Sequence, residues 1–385
     1  MPIKNRIADM APEIAGWRRE LHANPELRFE EHRTSAFVAK KLTEFGCDEV
    51  VTGVGQTGVV GVIKGRLDGD RVIGFRADMD ALPILESTGV EYASQTPGKM
   101  HACGHDGHTS MLLGAAKYLA ETRNFLGSVI LIFQPAEEGG GGARAMLKDG
   151  LIDRWSIQEV YGMHNWPGLP AGAFAVRDGA QMGAVDFFTI TVKGRGGHAA
   201  LPHLTVDTSV AASAIVLAAQ SIAARNLDPL KTMVLSIGGI RSDTDTFNVI
   251  PDTVTLKGTV RYLEPEVQDL VIDRLTSIAE TTAAAYGATA EIAYTKQVSA
   301  TINDPGAAER AAQVARSVAG DVIRDMDPVM PGEDFSDMLR ERPGAYLFIG
   351  NGDSQDLHHP AYDFNDDIIA TGSSWFAEMA ETGGR

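Results

Sequence analysis

The chain has 385 residues and a formal net charge of −17, with 34 Lys and Arg against 51 Asp and Glu. Hydrophobic residues at 44% and charged residues at 22% are ordinary for a globular protein of two or three domains. The acidic balance argues against a nucleic-acid or anionic-membrane binder, and the two cysteines, Cys47 and Cys103, exclude a disulfide framework and suit a reducing cytoplasm.

Residues 1–20 alternate charged and apolar side chains and lack the apolar stretch of a signal peptide. The spacing of Trp17, Leu21, Leu27, Phe37, Leu42 and Phe45 predicts helix across 10–45, stopped at Gly46. Strands are expected at Val59–Ile63 and Val72–Phe75, then a helix at His108–Thr122. A buried strand at Val129–Phe133 and strands at Val160–Met163 and Phe174–Val176 follow. This alternation predicts an α/β fold, a sheet flanked by helices. Near residue 183 the pattern changes to β-α-β-β-α-β: Asp186–Val192, Thr208–Arg225, Met233–Ile240, Val254–Val260, Pro265–Tyr286 and Thr289–Tyr294. That order is the ferredoxin-like arrangement. After Ala300 the α/β pattern resumes, with a strand at Ala345–Ile349 and a closing helix after Asp366. The expected organisation is a larger domain, 1–182 and 299–385, carrying an inserted α+β domain at 183–298. The longest apolar stretch, Val210–Ala224, falls short of the roughly 20 residues of a membrane span.

Ligand-type residues gather at predicted strand ends. MHACGHDGH holds His101, Cys103, His105 and His108, and Cys-x-His sets two good donors for a borderline metal close together. FQPAEEGGGG places Glu137 and Glu138 where α/β enzymes build active sites, opening into a flexible Gly run. The two carboxylates should point different ways, one free to ligate and one to act on water. GMHN supplies His164, and LHHPAYDFND supplies His358. Singly, each of these reads equally as surface or structure. Together Cys103, His105, Glu138, His164 and His358 are about the number that a two-metal site needs. Asp78 and Asp80, in RADMDALP, are candidates to orient a ligand or the catalytic glutamate. Gly53, Gly55 and Gly58 match GxGxxG, but a strand pattern follows instead of a helix, so no dinucleotide site is expected.

HANPELRFEE, RADMDALP, MHACGHDGHTSML, FQPAEEGGGGA, GMHN, GRGGHAALPH, FNVIPD, GTVR and LHHPAYDFND occur in this order. Over essentially the whole length the chain resembles the M20 metallopeptidase family, in its aminoacylase and hippurate hydrolase-like amidohydrolase branch. The resemblance implies a di-metal catalytic domain with a mixed sheet and a ferredoxin-like lid or dimerisation domain. It implies two divalent ions per subunit, zinc or manganese, on Cys103, His105, Glu138, His164 and His358. Glu137 would be the general base, and His198 would reach an active site, often the partner subunit's. The implied activity is hydrolysis of N-acyl amino acids, with His198 holding the oxyanion and Asp80 orienting a neighbour. Asn248 and Arg261, on predicted lid strands, are candidates for the substrate carboxylate. The peptidase branches carry His where this chain has Asp78, which disfavours an aminopeptidase or dipeptidase. A dipeptidase or carboxypeptidase, and a homologue that binds without turnover, are the alternatives. The expected assembly is a homodimer or homotetramer through the lid, in the cytoplasm.

Overall fold

Near-continuous apolar runs have one stable place in such a chain, between two layers of other elements. The computed structural model describes residues 3–382. In chain order, α1 (Asn5–Ala23), α2 (His32–Phe45), β1 (Glu49–Val54), β2 (Gly58–Lys64), β3 (Leu67–Asp78), α3 (His105–Thr122), β4 (Leu126–Gln134) and β5 (Glu159–Pro167) come first. Next are β6 (Ala184–Lys193), α4 (Thr208–Ala219), β7 (Met233–Ser242), β8 (Thr253–Tyr262), α5 (Glu266–Ala285) and β9 (Thr289–Val298). The chain closes with α6 (Pro305–Ala319), β10 (Gly344–Gly352) and α7 (Ile369–Thr382).

Two units result. One comprises the chain up to Gln181, Thr301–Asp327 and the chain from Asp334; the other is Met182–Ala300 with Pro328–Glu333. Pro328–Glu333 therefore groups with the second unit, although it lies inside the stretch expected in the larger domain. The first unit holds a mixed sheet in the order β1-β2-β4-β3-β5-β10, continued by the short strands Phe174–Ala175 and Val322–Ile323. β4, β3, β5 and β10 run parallel, while β1 and β2 form an antiparallel hairpin. Parallel strands bring their carboxyl ends to one edge, the place for a site in an α/β sheet. α3 packs against α1, α2 and α7, and its Leu112, Leu113, Ala116 and Leu119 are fully buried.

The second unit has the antiparallel order β7-β8-β6-β9, with α4 packed on α5. Alternation along β6 buries Asp186, Phe188, Ile190 and Val192 on one face. Thr208–Asn226, α4 with the π-helical turn after it, is 19 residues long with mean hydropathy 1.3. By length and composition it is long enough to cross a membrane, a correction to the shorter apolar stretch read from the sequence. It buries Ala211, Ile215, Ala219 and Ile222 within the second unit's core.

Three expectations change. The helix predicted over 10–45 is two helices, broken at Asn24–Glu31, because proline disfavours helix at the residue before it. β1 escaped notice because it is only partly covered, so its apolar signal is weak. The Gly run after Glu138 is a built turn: Gly142 donates to the Ala136 carbonyl at 3.1 Å and opens a short helix. A Cβ on Gly142 would stand 1.6 Å from the Pro135 carbonyl oxygen, so only glycine fits there.

Candidate active site

Every expected metal ligand lies in the first unit, at or following the carboxyl-terminal parts of the parallel strands. β3 runs into Asp78 and Asp80, β4 into Glu137 and Glu138, and His164 sits within β5. Gly104 turns the chain into α3 with φ +85°, and His105 is the first helical residue. His358, with φ +65°, is tied by its backbone N–H to the Ala102 carbonyl at 2.8 Å.

Two donor groups share one sulfur. Cys103, His105 and His164 offer atoms within 4.8 Å of one another, and so do Cys103, Glu138 and His358. Cys103 Sγ lies 3.3 Å from His164 Nε2, and Glu138 Oε1 lies 3.0 Å from His358 Nε2. The second nitrogen of each inner histidine is already engaged. His164 Nδ1 donates to the Asn165 carbonyl at 2.6 Å, and His105 Nδ1 meets Asp80 Oδ1 at 3.2 Å. That is how proteins orient metal-binding imidazoles. Asp80 Oδ2 also accepts the Glu138 backbone N–H at 2.9 Å, so one carboxylate orients two of the donors.

The chemistry of the set fits a cation pair. His105 Nε2 is buried with no hydrogen-bond partner among the described residues, a costly condition for a polar atom. Burial first, then Glu138, Glu137 and Asp78, push the Cys103 thiol well above its ordinary range. Burial alone would lower His105, but Asp78 and Asp80 outweigh it and raise it to about 10. Bound divalent cations would offset this concentration of negative charge and hold the sulfur as thiolate. Glu137 bridges the donors and their support: a carboxylate oxygen lies within 4.8 Å of His105 and Glu138, and its Oε1 accepts the Asp334 backbone N–H at 3.4 Å.

Sequence reasoning missed the buried network behind the donors. Arg76 Nη1 donates to Asp78 Oδ2 at 2.7 Å, and His108 Nδ1 meets Asp78 Oδ1 at 2.6 Å. His108 Nε2 accepts the Asn165 backbone N–H at 3.0 Å. Burial opposes the Asp78 charge, yet His105, Arg76 and His108 hold this carboxyl well below its usual range. Asp78, which had no firm role, is thus engaged in an ion pair. The buried side chain of His101 has no hydrogen-bond partner among the described residues, and burial lowers it to about 4. The three-residue spacing of His105 and His108 on one helix was the available signal for a shared neighbour.

The remaining candidates lie in the second unit. His198 and Val249 pair in a two-stranded ribbon, and Asn248 accepts the Ala199 N–H at 3.0 Å. His198 Nδ1 accepts the Ala200 N–H at 3.1 Å, so the neutral ring carries its proton on Nε2 as a donor. Arg261 is on β8, and its Nη1 is buried without a hydrogen-bond partner among the described residues.

A mixed α/β sheet that brings thiol, imidazole and carboxylate donors beside a second glutamate defines a metal-dependent hydrolase. The chain belongs to peptidase family M20/M25/M40, whose model matches residues 74–382. It is 43% identical over 378 residues to a hippurate hydrolase of Campylobacter jejuni, across 97% of each chain. It is 37% identical to thermostable carboxypeptidase 2 of Saccharolobus solfataricus, across 98% of this chain and 97% of the relative. Among solved structures, a Bacillus subtilis dinuclear metal-binding peptidase of the M20 family superposes with a TM-score of 0.86. It is 34% identical, with 97% of this chain and 98% of that one covered.

Proposed function

We propose that the protein hydrolyses the amide bond of N-acyl amino acids, releasing a carboxylic acid and a free amino acid. The observation that carries the reading is the pair of donor groups sharing Cys103, with a Glu137 oxygen within 4.8 Å of His105 and Glu138 and outside both groups. Cys103, His105 and His164 would hold one divalent ion, and Cys103, Glu138 and His358 the other, zinc or manganese. When bound, the ions act as Lewis acids and bring the pKa of water from about 16 to about 7. Glu137 takes the proton of the attacking water and passes it to the leaving amine. His198 donates from Nε2 to the developing oxyanion. Asp80 keeps His105 and the Glu138 backbone in place. Arg261, whose buried Nη1 has no hydrogen-bond partner among the described residues, and Asn248 receive the substrate carboxylate. The identity to a hippurate hydrolase supports an acylated amino acid as substrate.

The lid also carries the proposed subunit contact. Leu217 on α4 is 76% exposed and Ile240 on the edge strand β7 is 64% exposed, apolar surface that a second lid would cover to give a homodimer or homotetramer. The cytoplasm is the proposed compartment, consistent with two cysteines that are both free thiols.

The carboxypeptidase relative supports a second reading, cleavage of the last residue from a peptide, because such a substrate offers the same free carboxylate. A panel decides between them: benzoylglycine, N-acetyl amino acids, amino-blocked dipeptides and free dipeptides, each with and without chelator. Chelator-sensitive turnover concentrated on the benzoyl and acetyl amino acids is expected. Turnover confined to peptides would overturn the first reading.

A further inference from the structure

The motif HANPELRFEE takes no part in this chemistry and lies before the stretch that the family model matches. Its fold is unusual. The segment between α1 and α2 runs along the site as irregular chain, pinned where its neighbours carry function. Ala81, next to Asp80, donates its backbone N–H to the Glu26 carbonyl at 2.8 Å. Arg28 Nη1 donates to the Glu138 carbonyl at 2.9 Å. Glu31 is fully buried, and its two oxygens divide their work. Oε1 accepts the Ala136 backbone N–H at 2.9 Å, and Oε2 accepts the Thr57 hydroxyl at 2.5 Å.

Ala136 is the key position. It is a non-glycine residue at φ +52°, immediately before Glu137 and Glu138. The left-handed region is unfavourable for a residue with a Cβ, so something must hold it there. Its amide and carbonyl are both fixed, the first by Glu31 and the second by Gly142. The reversal brings both following carboxylates within 4.8 Å of His105 but gives them different further partners, Cys103 and His358 for Glu138 and the Asp334 backbone N–H for Glu137.

We propose that the Glu26–Glu31 segment, through Glu31 and Arg28, holds the Glu137–Glu138 turn, and that Glu31 is a positioning residue for both glutamates. The inference rests on the roles proposed for that pair. Glu31 acts by geometry: its acceptor oxygen sets the Ala136 amide, and no proton leaves it during turnover. Glutamine keeps an acceptor of the same reach, whereas alanine leaves the Ala136 N–H without a partner.

The test compares Glu31→Gln, Glu31→Ala and Arg28→Ala for kcat, KM, melting temperature and affinity for zinc, with Co2+ absorption reporting thiolate ligation. Displacement of a catalytic group by about 1 Å costs up to about 10²-fold. Glu31→Ala is expected to lose kcat on that scale, with KM within a few-fold and weaker metal binding. Glu31→Gln is expected to recover both. Wild-type kcat and metal affinity in Glu31→Ala overturn the proposal, as does Glu31→Gln falling as far as Glu31→Ala. Should Glu31→Ala fail to fold, exposed Arg28→Ala decides: weaker metal binding at unchanged melting temperature supports the clamp, and unchanged binding overturns it. Glu137→Gln measured alongside separates the two claims. Full turnover there removes the base assignment, while the metal affinities of the Glu31 and Arg28 variants still report on the turn.

Discussion

Cys103 sits among carboxylates that oppose its ionisation, and His105 is held protonated to about pH 10 by Asp78 and Asp80. Both groups must lose protons to become ligands, so cation uptake near neutral pH releases them and affinity rises as pH rises. Titration calorimetry of zinc binding in phosphate and in Tris is expected to show at least one proton released per cation pair; identical heats in the two buffers would contradict this. Cys103→Ser is expected to lose most bound metal on dialysis while keeping its circular dichroism spectrum, and full metal content would remove the shared-sulfur assignment. Cys47 contrasts with it: burial and Asp48 push its thiol up to about 12, so it has no reactive thiolate at neutral pH. The adjacent glutamates separate by the same logic. Glu137→Gln should retain metal and lose nearly all turnover, because an amide cannot take the water's proton. Glu138→Gln should lose metal as well. Equal metal loss in the two, by elemental analysis, would show that the roles are not divided.

At the scale of elements, α3 is the piece on which the site depends most. Its first turn carries His105 and His108, and that turn rests directly on Phe364: a Cβ added to Gly107 would lie 2.3 Å from the Phe364 ring. Gly107→Ala should therefore cost about 1–3 kcal/mol through overpacking and weaken metal binding together with stability. A melting temperature and zinc affinity matching wild type would show that the ring gives way freely. The strands of this fold were legible because Val129–Phe133 and Val160–Met163 are buried on both faces and read as apolar runs. α3 read well from Leu112, Leu113, Ala116 and Leu119, but its first turn is polar and was cut short by three residues. The Asn24–Glu31 break was hidden because Leu27 and Phe29 continue the apolar spacing past Pro25, the residue that ends the first helix. Ligand types at strand ends were readable as chemistry. The support behind them was not: Arg76, Gln134, Asp334 and Glu31 are charged or amide side chains that look like surface in one dimension, and only folding makes them fully buried partners. Nothing in the sequence marks Ala136 as left-handed, since alanine there depends on contacts from residues far along the chain.

At the scale of the whole molecule, the proposed chemistry draws on both units. The proposed donors and Glu137 belong to the first unit, and the proposed His198, Asn248 and Arg261 to the second. His198 lies in a ribbon strand of two residues with three glycines just before it, and its side chain contributes nothing to the second unit's core. Its loss therefore has no reason to disturb folding or metal content. Its Nε2–H is a hydrogen-bond donor, fixed in that tautomer by the Ala200 N–H. Removal of one oxyanion donor typically lowers kcat by about 10²–10³-fold. His198→Ala is expected to fall on that scale with unchanged melting temperature and zinc content, and His198→Gln, which keeps an N–H donor, to recover part of it. If a second copy's lid supplies the donor, a mixture of His198→Ala and Glu137→Gln proteins gains turnover above the sum of the two alone once subunits exchange. In such a mixture one site has an intact Glu137 together with an intact His198 from the other chain. Exchange verified by native mass spectrometry with no recovered turnover would place the donor in the same chain. Wild-type kcat in His198→Ala would take the residue out of the mechanism.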